Sequence, residues 1–341
     1  MLETVWFLLW GILWAVYFML GGFDLGLGIL SPYVARSDTD KRIVYNTMGP
    51  FWDGNEVWLI TAGGVTFAAF PTTYAVMFSA LYTPLLLLLF ALILRAAALE
   101  FRSKVEGKSW RKTWDVVLFL GSFVPALLFG VAFANIFQGI PIDADGNFHG
   151  NLLTLLNPYG LLGGVLFVLL FAVHGGLWLA VKAEGDLSVR AGRVAGQLWM
   201  VLLIVAVAFL AASWFATNLY GNYIAYPWLW LVPLVTVVAL VTTRLFMLKA
   251  AWWKAWFASC LTIVGATLFG VVGLYPNLFP SSLNPAYSLT AFNSSSSPLT
   301  LKIMLVVALI FVPIVIAYQT WSHFLFRDKV TSEDLASDEA Y

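Results

Sequence analysis

Nine long runs of apolar residues divide the chain, and polar residues are concentrated in the short connections between them. A helix needs about 20 apolar residues to cross the hydrocarbon core of a bilayer. The pattern therefore predicts nine membrane-spanning helices, at about residues 4–30, 51–70, 74–98, 114–138, 157–182, 196–219, 226–247, 253–275 and 300–325. The first run is too long for a signal-peptide core and has Glu3 instead of a basic start, so we expect it to remain as a helix.

The basic residues in the connections indicate the orientation. Lys and Arg accumulate on the cytoplasmic side of membrane proteins, whereas acidic residues have little influence. With the N-terminus outside, all of the 18 Lys and Arg residues except Lys302 fall on the cytoplasmic side, and Arg95 is counted among those that flank the third span. The outside connections, 139–156, 220–226 and 276–299, are predicted to be short ordered lids, and 331–341 an acidic cytoplasmic tail.

The composition excludes a soluble fold. The chain is 61% hydrophobic and 11% charged, with a mean hydropathy of +0.87, whereas soluble domains carry about 25% charged residues. Lys and Arg balance Asp and Glu at 18 each, so no net charge points to a nucleic-acid partner. Cys260 is the single cysteine and cannot form an internal disulfide.

Three acidic residues lie within or at the edge of apolar runs, where a carboxylate is costly and most often functional. Asp24 is predicted to lie less than two turns from the cytoplasmic end of the first span, and Asp53 and Glu56 begin the second span from the same side. Asp53 and Glu56 are three residues apart and so are predicted to share one helix face. Carboxyl groups in such a site could accept and pass a proton.

Simpler interpretations compete with this one. Asp53 could cap the start of a helix, and the glycines around Asp24 could serve close helix approach. We interpret Glu100 with Arg102, and Asp115 with Arg111 and Lys112, as interfacial ion pairs.

The histidines give little support for a haem or metal site within the chain. They are His149 in an outside connection, His174 in the fifth span and His323 near the end of the ninth, and no two share a helix at a spacing of three or four residues. We interpret His174 as a hydrogen-bonded core residue. By these residues alone, the chain is predicted to be a polytopic membrane protein with acids near the cytoplasmic side and no visible redox centre.

Two segments resemble signature segments of subunit II of the cytochrome bd quinol oxidases. They are Gly22-Phe23-Asp24-Leu25-Gly26 and the highly specific Trp52-Asp53-Gly54-Asn55-Glu56-Val57-Trp58. Further segments follow in the family's order up to the ninth span, among them Gly121-Ser122-Phe123-Val124-Pro125 and Asn157-Pro158. Some relatives carry an acid where this chain has Gly21, so a route that needs that acid does not transfer.

The resemblance implies an all-α membrane protein with nine spans, the N-terminus outside and the C-terminus in the cytoplasm. A single membrane domain over 1–330 would contain a four-helix bundle over about 1–138, a second over about 157–275 and a last helix over about 300–325. It further implies a complex in the prokaryotic cytoplasmic membrane. Subunit I of this complex is expected to carry haem b and haem d, or b-type haem only. It would oxidise quinol while O2 is reduced to water. A small single-helix subunit and membrane lipids are further expected partners.

In that family the Asp of the Trp-Asp-Gly-Asn segment is associated with the proton route, and the resemblance transfers this role to Asp53. Asp24 and Glu56 are further candidates for the proton path. Supporting positions are expected from five neighbouring polar and aromatic residues: Trp52, Asn55, Trp58, Glu100 and Arg102. Two alternatives remain open, a proton-coupled secondary transporter and a purely structural membrane partner whose acids do not titrate functionally.

Overall fold

The computed structural model describes residues 1–336, and this part of the chain is almost entirely helical. In chain order its helices are α1 (Leu2–Val34), α2 (Asp38–Met48), α3 (Trp52–Ala69), α4 (Pro71–Ala80), α5 (Tyr82–Phe101), α6 (Lys108–Gln138), α7 (Leu152–Leu155), α8 (Pro158–Lys182), α9 (Gly185–Ala216), α10 (Tyr220–Ala225), α11 (Leu231–Leu248), α12 (Trp252–Leu274) and α13 (Pro298–Leu325). A two-stranded antiparallel hairpin, β1 (Asn277–Phe279) and β2 (Leu289–Thr290), precedes α13. Residues 337–341 of the predicted acidic tail lie outside the described residues.

Eight helices between residues 1 and 336 are long and apolar enough to cross a membrane: α1, α5, α6, α8, α9, α11, α12 and α13. Each overlaps one of the predicted runs. The run predicted at 51–70 forms α3, an 18-residue helix whose first turns carry Asp53, Asn55 and Glu56. These polar side chains lower its apolarity, so α3 is a helix at the predicted place but is not one of the eight.

The prediction of one continuous helix over 74–98 is wrong. Helix α4 ends at Ala80 and α5 begins at Tyr82, while Leu81 between them has φ −98° and ψ 18°. Pro84 has no N–H to donate to the carbonyl oxygen of Ala80, one turn earlier. The apolar pattern continues through this break, so hydropathy alone does not reveal it.

Helix α1 is central to the packing, because it contacts α3, α6, α8 and α12. Its closest approach to α8 depends on glycine. A Cβ atom on Gly26 would lie 1.8 Å from the carbonyl oxygen of Phe171, and one on Gly175 would lie 2.5 Å from the amide nitrogen of Leu27. The interpretation that glycines near Asp24 serve close helix approach is confirmed for Gly26.

On the predicted cytoplasmic side, α2 is held by ion pairs. Arg102 is buried and donates to Asp115 at 2.6 Å and to Asp38, the first residue of α2, at 2.8 Å. Lys41 pairs with Asp115 at 2.7 Å, and Arg111 pairs with Asp38 at 3.0 Å. The predicted pairing of Asp115 with Arg111 and Lys112 is therefore wrong, because α2 folds back between the helices and supplies other partners.

The segment after α13 returns to the same side. The ammonium group of Lys182, at the end of α8, donates to the carbonyl oxygens of Phe326 and Asp328. The amide of Val330 donates to the Lys182 carbonyl at 2.8 Å. On the opposite side, Ile140 donates to the Pro280 carbonyl at 2.9 Å. This bond joins two of the connections that are predicted to lie outside, and both are ordered.

Candidate functional site

Asp24 and Asn55 form the centre of a buried polar site between α1 and α3. The Asn55 amide nitrogen donates to Oδ2 of Asp24 at 2.7 Å and to the carbonyl oxygen of Leu20 at 3.4 Å. Both side chains are buried. Because α1 continues to Val34, Asp24 lies ten residues, or about 15 Å, before its end. The helix thus continues four residues, about one turn, beyond the end of the predicted span at residue 30.

Glu56 joins the same site from the next position of α3. One of its carboxylate oxygens accepts from the guanidinium of Arg95 at 3.1 Å, and the other accepts from the Tyr17 hydroxyl at 3.4 Å. Tyr17 and Asp24 are seven residues apart and so lie about two turns apart on the same face of α1. Helices α1, α3 and α5 therefore bring two acids, an amide, a phenol and a guanidinium together.

Arg95 is the residue that sequence reasoning misplaced. It is not a cytoplasmic flanking residue, because only 1% of its surface is exposed and its partner is Glu56. A signal was present: Arg95 lies three residues before the predicted end of an apolar run, and apolar residues continue after it to Leu99. An arginine in such a place requires a buried partner.

Several atoms of this site have no hydrogen-bond partner within the described chain. They are Oδ1 of Asp24 and the Nε and Nη2 atoms of Arg95, all of them buried. Buried polar atoms are nearly always paired, so unpaired ones mark places that require an explanation. A free carboxylate oxygen near free N–H donors can exchange hydrogen bonds with water and can take up a proton.

Asp53 lies apart from this buried group. Its side chain is exposed and accepts from the backbone amide of Gly54 at 2.7 Å. Helix α3 begins at Trp52 with Phe51 as its N-cap, so Asp53 stands in the first turn and is not the cap itself. Within this chain Asp53 and Glu56 do not share the buried site that their spacing predicts, because only Glu56 is directed toward α1 and α5.

The predicted supporting residues divide between two places. Asn55 belongs to the buried site, and the Trp58 indole donates to Oε1 of Gln319 on α13 at 2.7 Å. Gln319 in turn donates to the Gly54 carbonyl at 2.8 Å, which fixes the start of α3 against α13. Trp52 is half-buried at the same turn.

Arg102, by contrast, belongs to the ion-pair cluster around α2. Glu100 is exposed near the end of α5. Neither residue is part of the buried site.

The histidines do not form a ligand set for a haem or a metal ion. Both ring nitrogens of His174 are engaged, with Ser259 Oγ at 2.6 Å and the Met19 carbonyl at 3.0 Å, which confirms its interpretation as a hydrogen-bonded core residue. His149 contacts Asp143 at 2.7 Å in an outside connection. Among residues 1–336, no group of three His, Cys, Asp or Glu side chains is placed to hold a metal ion.

The fold and the site define a class: polytopic helical membrane proteins with a buried carboxylate site between their first helices. The sequence profile of the family described as cytochrome bd terminal oxidase subunit II matches residues 2–326. The chain belongs to this family, and the resemblance seen in its motifs is confirmed.

Relatives agree with this assignment over nearly their whole length. Cytochrome bd ubiquinol oxidase subunit 2 of Bacillus subtilis is 38% identical over 335 residues, which cover 98% of each chain. Cytochrome bd-I ubiquinol oxidase subunit 2 of Escherichia coli is 37% identical over 369 residues, covering 98% of this chain and 96% of its own. One chain of the bd oxidase structure from Geobacillus thermodenitrificans superposes with a TM-score of 0.78 at 18% identity, covering 95% of this chain and 98% of its own, and so has the same fold.

Proposed function

We propose that this chain supports the haem-bearing subunit of its oxidase and conducts protons from the cytoplasm toward it. As a member of the family, the chain is subunit II of a cytochrome bd terminal quinol oxidase, an oxidoreductase complex of the respiratory chain. It is a multi-pass protein of the bacterial inner membrane. Family membership does not favour the alternative of a secondary transporter.

The observation that carries the proton-path proposal is the hydrogen bond between Asn55 and Asp24. Asn55 holds one oxygen of the carboxylate at 2.7 Å, while the other oxygen has no hydrogen-bond partner among residues 1–336. A carboxyl group held in this way keeps its position and still has a free oxygen that can accept a proton from water. Glu56, fixed by Arg95 and Tyr17, continues the polar site along α1.

Asp53 is proposed to transfer the proton out of this chain. Its exposed carboxylate stands at the start of α3, where Gln319 of α13 binds the neighbouring carbonyl of Gly54. Leu301 is the one residue of α13 that is buried within the described chain, so α13 offers a large apolar surface beside Asp53. A partner subunit seated on this surface would cover Asp53 and could accept its proton.

The topology is part of the same proposal. Counting α3 with the eight apolar helices gives nine spans, so the two termini would lie on opposite sides of the membrane. The distribution of Lys and Arg favours an outside N-terminus and a cytoplasmic C-terminus. Two bundles are proposed, with α1, α3, α5 and α6 in the first and α8, α9, α11 and α12 in the second. Within these bundles α5 packs against α6, α8 against α9 and α11 against α12, and the two bundles meet where α1 and α6 pack against α8.

The cofactors are proposed to reside in subunit I, because the histidines of this chain are engaged elsewhere or stand apart. That subunit would carry haem b with haem d, or b-type haem only, and would bind the quinol. A small single-helix subunit is proposed as a further partner, together with membrane lipids.

Purification of the chain from its native membrane in mild detergent tests the assembly. We expect a second polytopic subunit of similar size to copurify in equal amount, with b- and d-type bands, or b-type bands alone, in the reduced spectrum. Recovery of the chain alone, without haem and with a solute-dependent proton flux after reconstitution, would contradict the proposal and favour the transporter.

A further inference from the structure

The second half of the chain carries positive charges that no acidic residue balances. From Leu187 to Arg327 the sequence contains no Asp or Glu. Four basic residues of this stretch lie where α9 begins and where α11 joins α12: Arg193, Arg244, Lys249 and Lys254. None of them forms an ion pair within residues 1–336, whereas the basic residues around α2 are bound to carboxylates.

Arg244 links α11 to α9 and leaves most of its guanidinium free. Its Nη1 atom donates to the Gly196 carbonyl at 3.1 Å, and the guanidinium carbon lies 5.8 Å from the centre of the Trp199 ring. Arg193 is exposed and lies three residues before Gly196, on the same face of α9. Two arginines from two helices therefore flank one place on the cytoplasmic side.

An apolar cleft lies further into the membrane region, beginning at Leu202 of α9 and Leu240 of α11. It has a volume of about 100 Å³ and is lined by residues of α8, α9, α11 and α12, among them Leu202, Ala206, Val237 and Leu240. The Trp199 indole donates to the carbonyl of Leu240, a lining residue, at 3.0 Å and has Arg244 beside its ring, so it connects the cleft to the arginines.

The polar groups of the cleft are already occupied. Thr236 and Thr262, its two hydroxyl side chains, each donate to a carbonyl of their own helix, at 2.8 and 2.9 Å. The lining therefore offers nothing to a polar ligand and suits a hydrocarbon chain.

We propose that the cytoplasmic end of the cleft between α9 and α11 binds an anionic phospholipid. The phosphate would lie between Arg193 and Arg244, and an acyl chain would lie in the cleft beyond Trp199. Basic pockets between membrane helices on the cytoplasmic side bind anionic headgroups, and each Lys or Arg near the surface strengthens the attraction. Lys249 and Lys254, exposed at the adjoining turn, add to the positive potential.

The test is lipid binding to the purified, delipidated oxidase complex, measured by native mass spectrometry with phosphatidylglycerol and phosphatidylcholine as probes. We expect wild-type complex to bind the first phosphatidylglycerol about tenfold more tightly than phosphatidylcholine. The double variant Arg193→Gln/Arg244→Gln should lose this preference and keep its phosphatidylcholine affinity. The single variant Arg193→Gln alters an exposed side chain, so it should fold normally. Its preference for phosphatidylglycerol over phosphatidylcholine should fall about threefold.

A matched control separates a local site from the general surface potential. Lys104→Gln/Lys108→Gln removes two exposed charges from the connection between α5 and α6 and should leave the preference unchanged. A cleft-filling variant, Ala206→Phe, should weaken the first binding event for both lipids while the haem spectrum stays that of the wild type. Three results would each overturn the proposal. They are an unchanged lipid preference in the arginine variants, an equal loss of preference in the lysine control, and unchanged lipid binding in Ala206→Phe.

Discussion

Asn55 and Asp24 are joined by a hydrogen bond of 2.7 Å that connects α3 to α1, and the second oxygen of Asp24 has no hydrogen-bond partner in the part of the chain that the structure describes. The bond orients the carboxylate but uses only one of its two oxygens. If Asn55 served only packing, its replacement would lower stability but not turnover. If it positions a proton acceptor, its replacement lowers turnover as well.

Asn55→Ala is therefore expected to lower quinol oxidase turnover as well as stability. Removing the amide leaves Asp24 without its donor, which should cost about 1–3 kcal/mol in the free energy of unfolding. Thermal unfolding of the complex measures this loss, and oxygen consumption at saturating quinol measures turnover.

Asp24→Asn keeps the volume of the side chain but removes its titratable group. It should lower turnover at least as much as Asn55→Ala, with a smaller loss of stability. Normal turnover in an assembled Asp24→Asn complex would remove Asp24 from the path.

Asp53→Asn tests the proposed transfer of protons to the partner subunit. The amide cannot take up a proton, so we expect turnover to fall about tenfold or more, as for the loss of a positioned proton-transfer group. The reduced haem spectrum should stay nearly unchanged, because the Asp53 side chain is exposed and its hydrogen bond within the described chain is a local one, to the amide of Gly54.

Glu106→Gln is the matched control for Asp53→Asn, since it removes an exposed carboxylate in the connection after α5 and should be without effect. Wild-type turnover in a fully assembled Asp53→Asn complex would leave Asp53 a role only at the start of α3. Together with normal turnover in Asp24→Asn, that result would make the chain a structural partner subunit.

The elements that could be predicted from the sequence are those set by local hydropathy. Eight of the nine apolar runs overlap a long apolar helix, and α3 begins within one residue of its predicted start, but the run at 74–98 is divided between α4 and α5. The break at Leu81 was not predictable in this way, because both sides of it are apolar and a proline can be accommodated within a membrane helix.

The site was predictable only in part, because its geometry depends on contacts between distant residues. Asp24 and Glu56 were found because acids in apolar runs are rare. Arg95 was missed because its partner is 39 residues earlier in the chain, on α3, and its position near the end of a run is typical of a flanking charge. The orientation of Asp53 away from Glu56 depends on which face of α3 packs against α1.

The pH dependence of one outside connection follows from the contacts of Asp143. Its carboxylate is bound by His149 and by the backbone amide of Asn147, which lower the pKa of Asp143 to about 2. The pKa of Asp143 is thus lower in the folded chain than in the unfolded chain, where it is about 3.9. The ionised carboxylate therefore stabilises the folded connection fully above about pH 3.9, and this stabilisation is lost as the pH falls toward 2. The amides of Asp145 and Asn147 should be protected from hydrogen exchange at pH 5 and lose protection below pH 3, after correction for intrinsic rates.

Asp143→Asn should abolish this dependence and reduce protection at pH 5 about tenfold, since hydrogen bonds to a charged acceptor are the stronger ones. Asp145→Asn is the control, because that side chain is exposed and should leave the exchange rates unaltered. Equal protection at pH 2 and pH 5 in the wild-type chain would show that Asp143 does not hold the connection.

Arg95 and Glu56 should depend on each other for stability. Arg95→Met leaves the Glu56 carboxylate in a largely buried site without its partner, and breaking a buried pair from one side costs about 3–5 kcal/mol. Glu56→Gln leaves the guanidinium unpaired and should be similarly costly. The double variant removes both charges and should recover most of the loss, so a double-mutant cycle on thermal unfolding should give a coupling of about 2 kcal/mol or more. Arg95→Lys keeps the charge and provides an assembled complex if Arg95→Met is recovered in low yield. Additive effects of the two single substitutions would mean that the 3.1 Å contact contributes nothing to stability, and that Glu56 does not depend on Arg95 for its position.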